Sequence, residues 1–150
     1  MKRLSPKWLA YGSLLAAVLV LAAVQSWPVE DRVPWRTDLT AEVVAPADRP
    51  TLLYFTADWC PPCRAMTRRV FSHGPTADAI AAATTPVKVD LTDQAPGPAA
   101  DLARSFRADA IPTLVLLDPQ GRELGRVVGQ LDRQELVSWL DSLARADNAG

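Results

Sequence analysis

The chain has 150 residues, with 16 lysines and arginines against 17 aspartates and glutamates, which gives a formal net charge of −1 at pH 7. This balance creates no basic field that would attract nucleic acid, so we exclude that class of partner. After an apolar amino-terminal stretch, about 120 residues remain, which is enough for one hydrophobic core.

The amino end has the features of a membrane-spanning helix. It carries three positive side chains within residues 1–7, and no charged residue follows until Glu30. Trp8 and Trp27 bracket the uncharged stretch, and their separation corresponds to roughly 28 Å of helix. This length is close to the thickness of the bilayer interior, and tryptophan favours its two interfaces. We therefore predict a transmembrane anchor over residues 8–27, with residues 1–7 in the cytoplasm.

The same stretch also fits a cleaved signal peptide, because residues 20–22 offer a cleavage site with small side chains. Both interpretations export the part of the chain that follows. The predicted location is the inner membrane, crossed once, with the carboxyl-terminal domain in the periplasm or another extracytoplasmic space.

Prolines punctuate residues 28–50, which we interpret as a tether that leads into the fold. Within it, Trp35 is expected to open an edge strand and residues 38–44 to form a short helix. Residues 51–146 are predicted to form a single domain, and residues 147–150 a tail.

Periodicity and breakers in this domain predict four strands and four helices in a fixed order. The order is strand 51–57, helix 61–71, helix 76–83, strand 86–91, helix 98–107, strand 113–117, strand 122–128 and helix 132–145. Asp132 and Glu135 have the spacing of a capping box at the start of the last helix. Helix-linked strands followed by a hairpin favour an α/β fold with a mixed sheet and helices on both faces.

The two cysteines, Cys60 and Cys63, are separated by Pro61 and Pro62. A bridge across two residues closes a very short loop and removes little entropy from the unfolded chain, so it is a poor structural staple. Proline is favoured in the first helical turn, which places Cys60 at the N-cap of a helix and Cys63 one turn in. Because the helix dipole and free N–H groups stabilise a thiolate there, we predict that Cys60 is the nucleophile and Cys63 the resolving thiol.

Three other uses of such a pair compete with redox chemistry. A zinc site takes about four ligands, and the chain offers only His73 beside the two cysteines. Haem attachment requires a histidine directly after the second cysteine, where this chain has Arg64. An inert structural disulfide is the third alternative. We favour redox chemistry with no metal and no cofactor other than the Cys60–Cys63 disulfide itself.

The surrounding motifs resemble the thioredoxin superfamily. Residues 51–60 are predicted to form a buried strand that runs into the site and ends in the motif Phe55-Thr-Ala-Asp-Trp-Cys60. Ile-Pro-Thr at residues 111–113 leads another predicted apolar strand. The resemblance covers roughly residues 35–143. It is greatest to the thioredoxin-like carboxyl-terminal domain of the membrane reductase DsbD and to small membrane-anchored periplasmic thioredoxins. It implies the thioredoxin fold, with a mixed central sheet flanked by helices.

The resemblance also implies roles for residues near the cysteines. Trp59 would lie beside the exposed sulfur, and a cis Ile111–Pro112 bond would pack against the disulfide. Together with Pro61 and Pro62, these residues form the predicted substrate-binding surface.

One position departs from the pattern of the superfamily. Its members usually carry a buried aspartate six residues before the first cysteine, which assists proton transfer to the second cysteine. This chain has Tyr54 there, and a phenol with an ordinary pKa of about 10 is a poor base at neutral pH. Asp58 is the nearest carboxylate in the sequence, and we name it as a possible proton-transfer group.

The favoured function is that of an exported, membrane-anchored thiol–disulfide oxidoreductase that reduces disulfides in other proteins as a monomer. Reduction outside the cytoplasm needs a source of electrons, and the expected donor is a membrane protein of the DsbD or CcdA type. One alternative is an oxidase or isomerase that donates disulfides. Another is a redox-inactive peptide-binding or chaperone module.

Overall fold

The computed structural model describes residues 6–26, 30–39 and 48–147. Helix α1 is followed by four strands and four further helices. In chain order the elements are α1 Pro6–Ser26, β1 Thr51–Thr56, α2 Pro61–Met66, α3 Gly74–Ala83, β2 Thr85–Asp90, α4 Pro98–Ser105, β3 Thr113–Leu117, β4 Glu123–Val128 and α5 Arg133–Asp147.

Helix α1 is 21 residues long, and the side chains of residues 11–22 are exposed. Its bounds fall close to the predicted span 8–27. Among the described residues, however, no helix combines the length and the apolar character needed to cross a membrane.

The four strands form one mixed sheet in the order β2-β1-β3-β4. Strand β1 pairs in parallel with β2 and antiparallel with β3, and β3 and β4 form a hairpin. A parallel pair needs a crossover connection, which α2 and α3 supply between β1 and β2. The predicted mixed sheet with flanking helices is confirmed.

Alternate residues of β1 enter two different hydrophobic cores, one on each face of the sheet. Leu52 and Tyr54 pack in the larger core with residues of α2, α3 and α5. Leu53 and Phe55 pack in the other core, against β2 and the apolar side of α4. Because both faces are covered, β1 reads as an uninterrupted apolar run rather than an alternating one.

The predicted helix and strand positions are correct to within one or two residues. The helix predicted over 61–71 begins at Pro61 as expected, but its last part, Thr67–Phe71, is π-helical. Helix α3 begins two residues before the predicted start, at Gly74, because Pro75 lies in its first turn rather than outside it. The capping box at α5 is present, with each of Asp132 and Glu135 accepting the backbone N–H of the other.

Residues 30–39, here called the lead-in segment, pack against the domain. Val33 is buried in the larger core and Trp35 packs against it. Arg36 forms an isolated parallel bridge with Val87 of β2. The edge strand predicted to begin at Trp35 is therefore represented by this single residue pair. Most of the short helix expected over 38–44, like part of the tail at 147–150, lies outside the described residues.

Candidate active site

Three chain segments meet at one edge of the sheet. Strands β1 and β2 run in parallel and end together, since Thr56 pairs with Asp90. Strand β3 runs the opposite way and begins there, since Phe55 pairs with Thr113. The loop after β1, the loop after β2 and the segment before β3 therefore converge, although Trp59, Thr92 and Ile111 are far apart in sequence.

Cys60 and Cys63 form a disulfide at this edge, with their Cα atoms 5.3 Å apart. Cys60 is the N-cap of α2 and Pro61 begins the helix, as predicted. The backbone N–H of Cys63 donates to the Cys60 sulfur across 3.2 Å. The same N–H would stabilise a thiolate on Cys60 once the disulfide opened.

The segment before β3 supplies the opposite wall of the site. The Ile111–Pro112 peptide bond is cis, as the resemblance implied. The Ile111 carbonyl oxygen lies 3.8 Å from the Cys60 sulfur, and the Ile111 side chain packs against both cysteines. The Pro112 carbonyl accepts the backbone N–H of Gly129, which ties this segment to the end of β4.

Thr92, in the loop after β2, holds the residues that precede Cys60. Its hydroxyl accepts the backbone N–H of Asp58 at 2.9 Å, and its carbonyl accepts the indole N–H of Trp59 at 3.2 Å. Thr92 is itself fixed, because its own N–H and hydroxyl both donate to the Asp90 carboxylate. This network fixes Trp59 while leaving the ring 51% exposed.

The two cysteines are themselves buried. Cys60 is 3% exposed and Cys63 2% exposed. Two apolar residues on this side of the molecule are exposed: Trp59, which precedes Cys60, and Val128, which pairs with Thr113 directly after Pro112. A groove of about 290 Å³ extends from Trp59 and Ile111 along the apolar side of α4. The site thus offers a partly apolar surface around a recessed disulfide.

Tyr54, at the position where the resemblance implies an aspartate, is fully buried behind the site. Its hydroxyl lies 3.5 Å from the Cys63 carbonyl oxygen, at the limit of hydrogen-bonding distance. Burial raises the pKa of Tyr54 to about 12, an effect that a hydrogen bond with Thr56 opposes and the charge of Asp31 reinforces. The phenol is therefore neutral at physiological pH.

The structure brings together the predicted site residues Cys60, Cys63, Trp59, Ile111 and Pro112. Asp58 is also adjacent, but its side chain is exposed and its backbone carbonyl accepts the Arg64 guanidinium. The proton-transfer role of Asp58 stays a prediction.

Sequence reasoning missed Thr92 and Asp31. Thr92 directly follows the strand predicted over 86–91, yet nothing in the sequence pairs it with Trp59. Asp31 lies in the segment interpreted as a tether, where its carboxylate accepts the backbone N–H of Val33 and the indole N–H of Trp35.

Residues 37–144 match the family described as a thioredoxin-like domain, which is well over half of the chain. The thiol:disulfide interchange protein TxlA of Synechococcus elongatus is 31% identical over 113 residues, covering 70% of this chain and 52% of TxlA. The thiol:disulfide interchange protein DsbD of Actinobacillus pleuropneumoniae is 26% identical over 115 residues, covering 75% of this chain and 19% of DsbD. The solution structure of a thioredoxin from Thermus thermophilus superposes with a TM-score of 0.63 at 27% identity, covering 75% of this chain and 88% of that one.

The chain belongs to the thioredoxin-like family. The family match and the bonded Cys60–Cys63 pair define a thiol–disulfide oxidoreductase domain of the thioredoxin type. The chain spans about half the length of TxlA and about a fifth of DsbD.

Proposed function

We propose that the protein is an exported, membrane-anchored oxidoreductase that reduces disulfides in other proteins. The observation that carries this proposal is the Cys60–Cys63 disulfide at the amino end of α2, with the Cys63 N–H directed at the Cys60 sulfur. In its reduced form the Cys60–Cys63 pair carries the two electrons that are transferred, and we propose no further cofactor.

The proposed cycle has two exchange steps. In the first, the Cys60 thiolate attacks a disulfide of the partner protein; a Cys60–partner bond forms, and one partner sulfur leaves as a thiolate. In the second, the Cys63 thiolate attacks the Cys60 sulfur, the Cys60–Cys63 bond forms, and the second partner sulfur leaves. The partner gains two electrons and two protons, and the cysteine pair becomes oxidised.

The surface around the disulfide suits a protein substrate. Trp59 and Val128 are 51% and 61% exposed, and Ile111 lines the apolar groove next to Trp59. An extended segment of a partner could cover these groups while its disulfide approached Cys60. We assign Trp59, Pro61, Pro62, Ile111 and Pro112 to this docking surface.

The direction of electron flow follows from the two prolines. Proline has no backbone N–H, so Pro61 and Pro62 offer no donor to a thiolate on Cys60, and the donor in the first turn is Cys63. A less stabilised thiolate means a less stable reduced form and a more negative reduction potential. This reasoning favours a reductant, which would need a membrane electron donor of the DsbD or CcdA type.

The anchor is proposed from the sequence of residues 1–30. The positive side chains precede an uncharged stretch bracketed by Trp8 and Trp27, which favours a helix that crosses the bilayer with the domain outside.

The test uses the full chain in detergent, with reduction of insulin disulfides and the reduction potential as its two measurements. We expect wild-type protein to be active, Cys60→Ser to be inactive, and Cys63→Ser to accumulate mixed disulfides through Cys60.

For the reduction potential of the Cys60–Cys63 pair, we expect a value near the thioredoxin value of about −270 mV. A value near the strong-oxidant range of about −120 mV would instead indicate an oxidase. No activity in wild-type protein would favour a binding module.

A further inference from the structure

Side chains from two separate elements hold the backbone of Asp58, two residues before Cys60. The Asp58 N–H donates to the Thr92 hydroxyl at 2.9 Å, and the Asp58 carbonyl accepts the Arg64 guanidinium at 2.8 Å. Thr92 lies in the loop after β2, and Arg64 lies in α2. We call these two side chains the Thr92–Arg64 clamp.

The Thr92 side of the clamp is itself fixed by hydrogen bonds. A threonine hydroxyl has one proton to donate and two lone pairs that accept. The Thr92 hydroxyl donates to the Asp90 carboxylate, so a lone pair is directed at the Asp58 N–H. The Thr92 N–H also donates to Asp90, and the Thr92 carbonyl accepts the Trp59 indole N–H at 3.2 Å. Thr92 thus binds both the backbone before Trp59 and the Trp59 ring.

The Arg64 side of the clamp joins Asp58 to the helix that carries both cysteines. The Arg64 backbone N–H donates to the Cys60 carbonyl at 3.1 Å, while its guanidinium returns to the Asp58 carbonyl. A hydrogen bond from a charged donor is stronger than one between neutral groups. Arg64 therefore fixes the segment 58–60 against the first turn of α2, although its side chain is exposed.

The clamp acts on the exposed aromatic ring of the docking surface. Trp59 is 51% exposed and lines the apolar groove together with Ile111. An exposed side chain that is free to change rotamer loses that freedom when a partner binds, and this loss weakens binding. A ring already held by Thr92 loses less, so the clamp favours a partner long enough to cover Trp59. A small disulfide needs only the Cys60 sulfur and gains nothing from the clamp.

We propose that Thr92 and Arg64 are positioning residues that preform the docking surface at Trp59 and so select protein disulfides over small ones. This inference rests on the proposed function and names what determines its substrate class. The clamp takes no part in either exchange step, because neither side chain gives or takes a proton or an electron. Its effect is on binding of the partner.

The kinetic test uses full-length protein in detergent, reduced beforehand, with Thr92→Val and Arg64→Met as the variants. Arg69→Met is the matched control, because it removes the same charge from an exposed position on the helical extension of α2. The rate at which the protein is oxidised is measured against the concentration of insulin. A second series uses 2,2′-dithiodipyridine, a small disulfide whose lack of charge makes it insensitive to the loss of an arginine.

We expect the half-saturating concentration of insulin to rise about fivefold in Thr92→Val and in Arg64→Met, as loss of one typical hydrogen bond would cause. The limiting rate should stay nearly constant, because the lost interaction contributes to binding alone. Rates with 2,2′-dithiodipyridine, and all rates of Arg69→Met, should match wild type. Equal slowing with the small disulfide, or the same loss in Arg69→Met, would overturn the proposal.

A double-mutant cycle tests whether the clamp acts through Trp59. In a Trp59→Ala background, Thr92→Val and Arg64→Met should cause no further rise in the half-saturating concentration of insulin, since residues that act through a shared partner are not additive. Additive effects would show that the two side chains serve something other than Trp59, and would refute the proposal.

A measurement without substrate separates this proposal from the proposed function. Hydrogen exchange of the Trp59 indole N–H, assigned in NMR spectra with Trp59→Phe, should be slow in wild type. It should be faster in Thr92→Val and Arg64→Met but not in Arg69→Met. Exchange in wild type at the rate of free tryptophan would refute the clamp even if no variant folded. A protected Trp59 in a protein that does not reduce insulin would contradict the proposed function and the selection, but not the clamp geometry.

Discussion

At the residue scale, the reactivity of Cys60 depends on which backbone donors its sulfur can reach. An N-cap side chain accepts from the second or third residue of the helix. In α2 these are Pro62, which has no N–H, and Cys63, whose N–H is 3.2 Å from the Cys60 sulfur. The two prolines therefore differ in their effect, since only Pro62 occupies a position from which a donor would reach the thiolate.

We predict that Pro62→Ala lowers the pKa of Cys60 and makes the protein more oxidising. A hydrogen bond to a charged group contributes about 1.5–3 kcal/mol, which corresponds to roughly one pKa unit or more. Each such unit raises the potential by at most about 30 mV. Thiolate absorbance against pH and titration in a glutathione redox buffer measure the two effects.

Pro61→Ala is the matched control for this experiment. The alanine N–H at position 61 would lie at the first helical position. An N-cap side chain does not normally accept a hydrogen bond from that position. Equal shifts in the two variants would show that helix flexibility, rather than a restored donor, sets the potential.

At the element scale, the β3–β4 hairpin depends on a buried carboxylate. Asp118 accepts the backbone N–H groups of Gln120 and Arg122 at 2.9 and 2.8 Å and the Arg122 side chain at 2.5 Å. Gly121 closes the turn with φ of +82°, a conformation that glycine adopts without steric cost. Burial raises the pKa of Asp118, but the hydrogen bonds from Arg122 and Gln120 outweigh it, so the pKa is lowered overall.

The lowered pKa predicts that Asp118 stabilises the fold above the ordinary aspartate pKa of about 4 and that this contribution disappears as the pH falls through the folded value. Asp118→Asn should therefore lower the urea midpoint at pH 7, with a difference from wild type that shrinks towards pH 2. Denaturation curves across this range check the prediction. Asp141→Asn, an exposed change on α5, should leave the midpoint nearly unchanged. A difference for Asp118→Asn that persists at pH 2 would mean that side-chain packing, not charge, is responsible.

At the scale of the whole molecule, the proposed anchor would set where the domain works. We predict that full-length protein stays in the membrane fraction after high-salt washing and that a carboxyl-terminal alkaline phosphatase fusion is active. The reason is that positive residues retain the amino end in the cytoplasm and leave the domain outside. A chain that begins at residue 28 should be soluble, and its fusion inactive. A shortened wild-type product released from the membrane would favour the signal peptide instead.

The parts of this protein that depend on local spacing could be predicted from the amino-acid sequence. The C-x-x-C pair at a proline-started helix, the apolar strands, the capping box of α5 and the resemblance all depend on residues close together in the chain. The π-helical segment after α2 was not predicted, because residues 67–71 contain no helix breaker and their sequence does not distinguish an α-helix from a π-helix.

Only the tertiary structure decided which distant residues meet at the site. Pairing of β1 with β2 and β3 brings Thr92 to Trp59, and the Ile111–Pro112 bond to the disulfide. Packing of the lead-in segment stacks Trp35, whose indole N–H donates to Asp31, on the Tyr54 ring. These partners are separated from one another by about twenty to fifty residues along the chain. Such contacts depend on strand register and on the way the cores close, and neither leaves a periodic signal in the sequence.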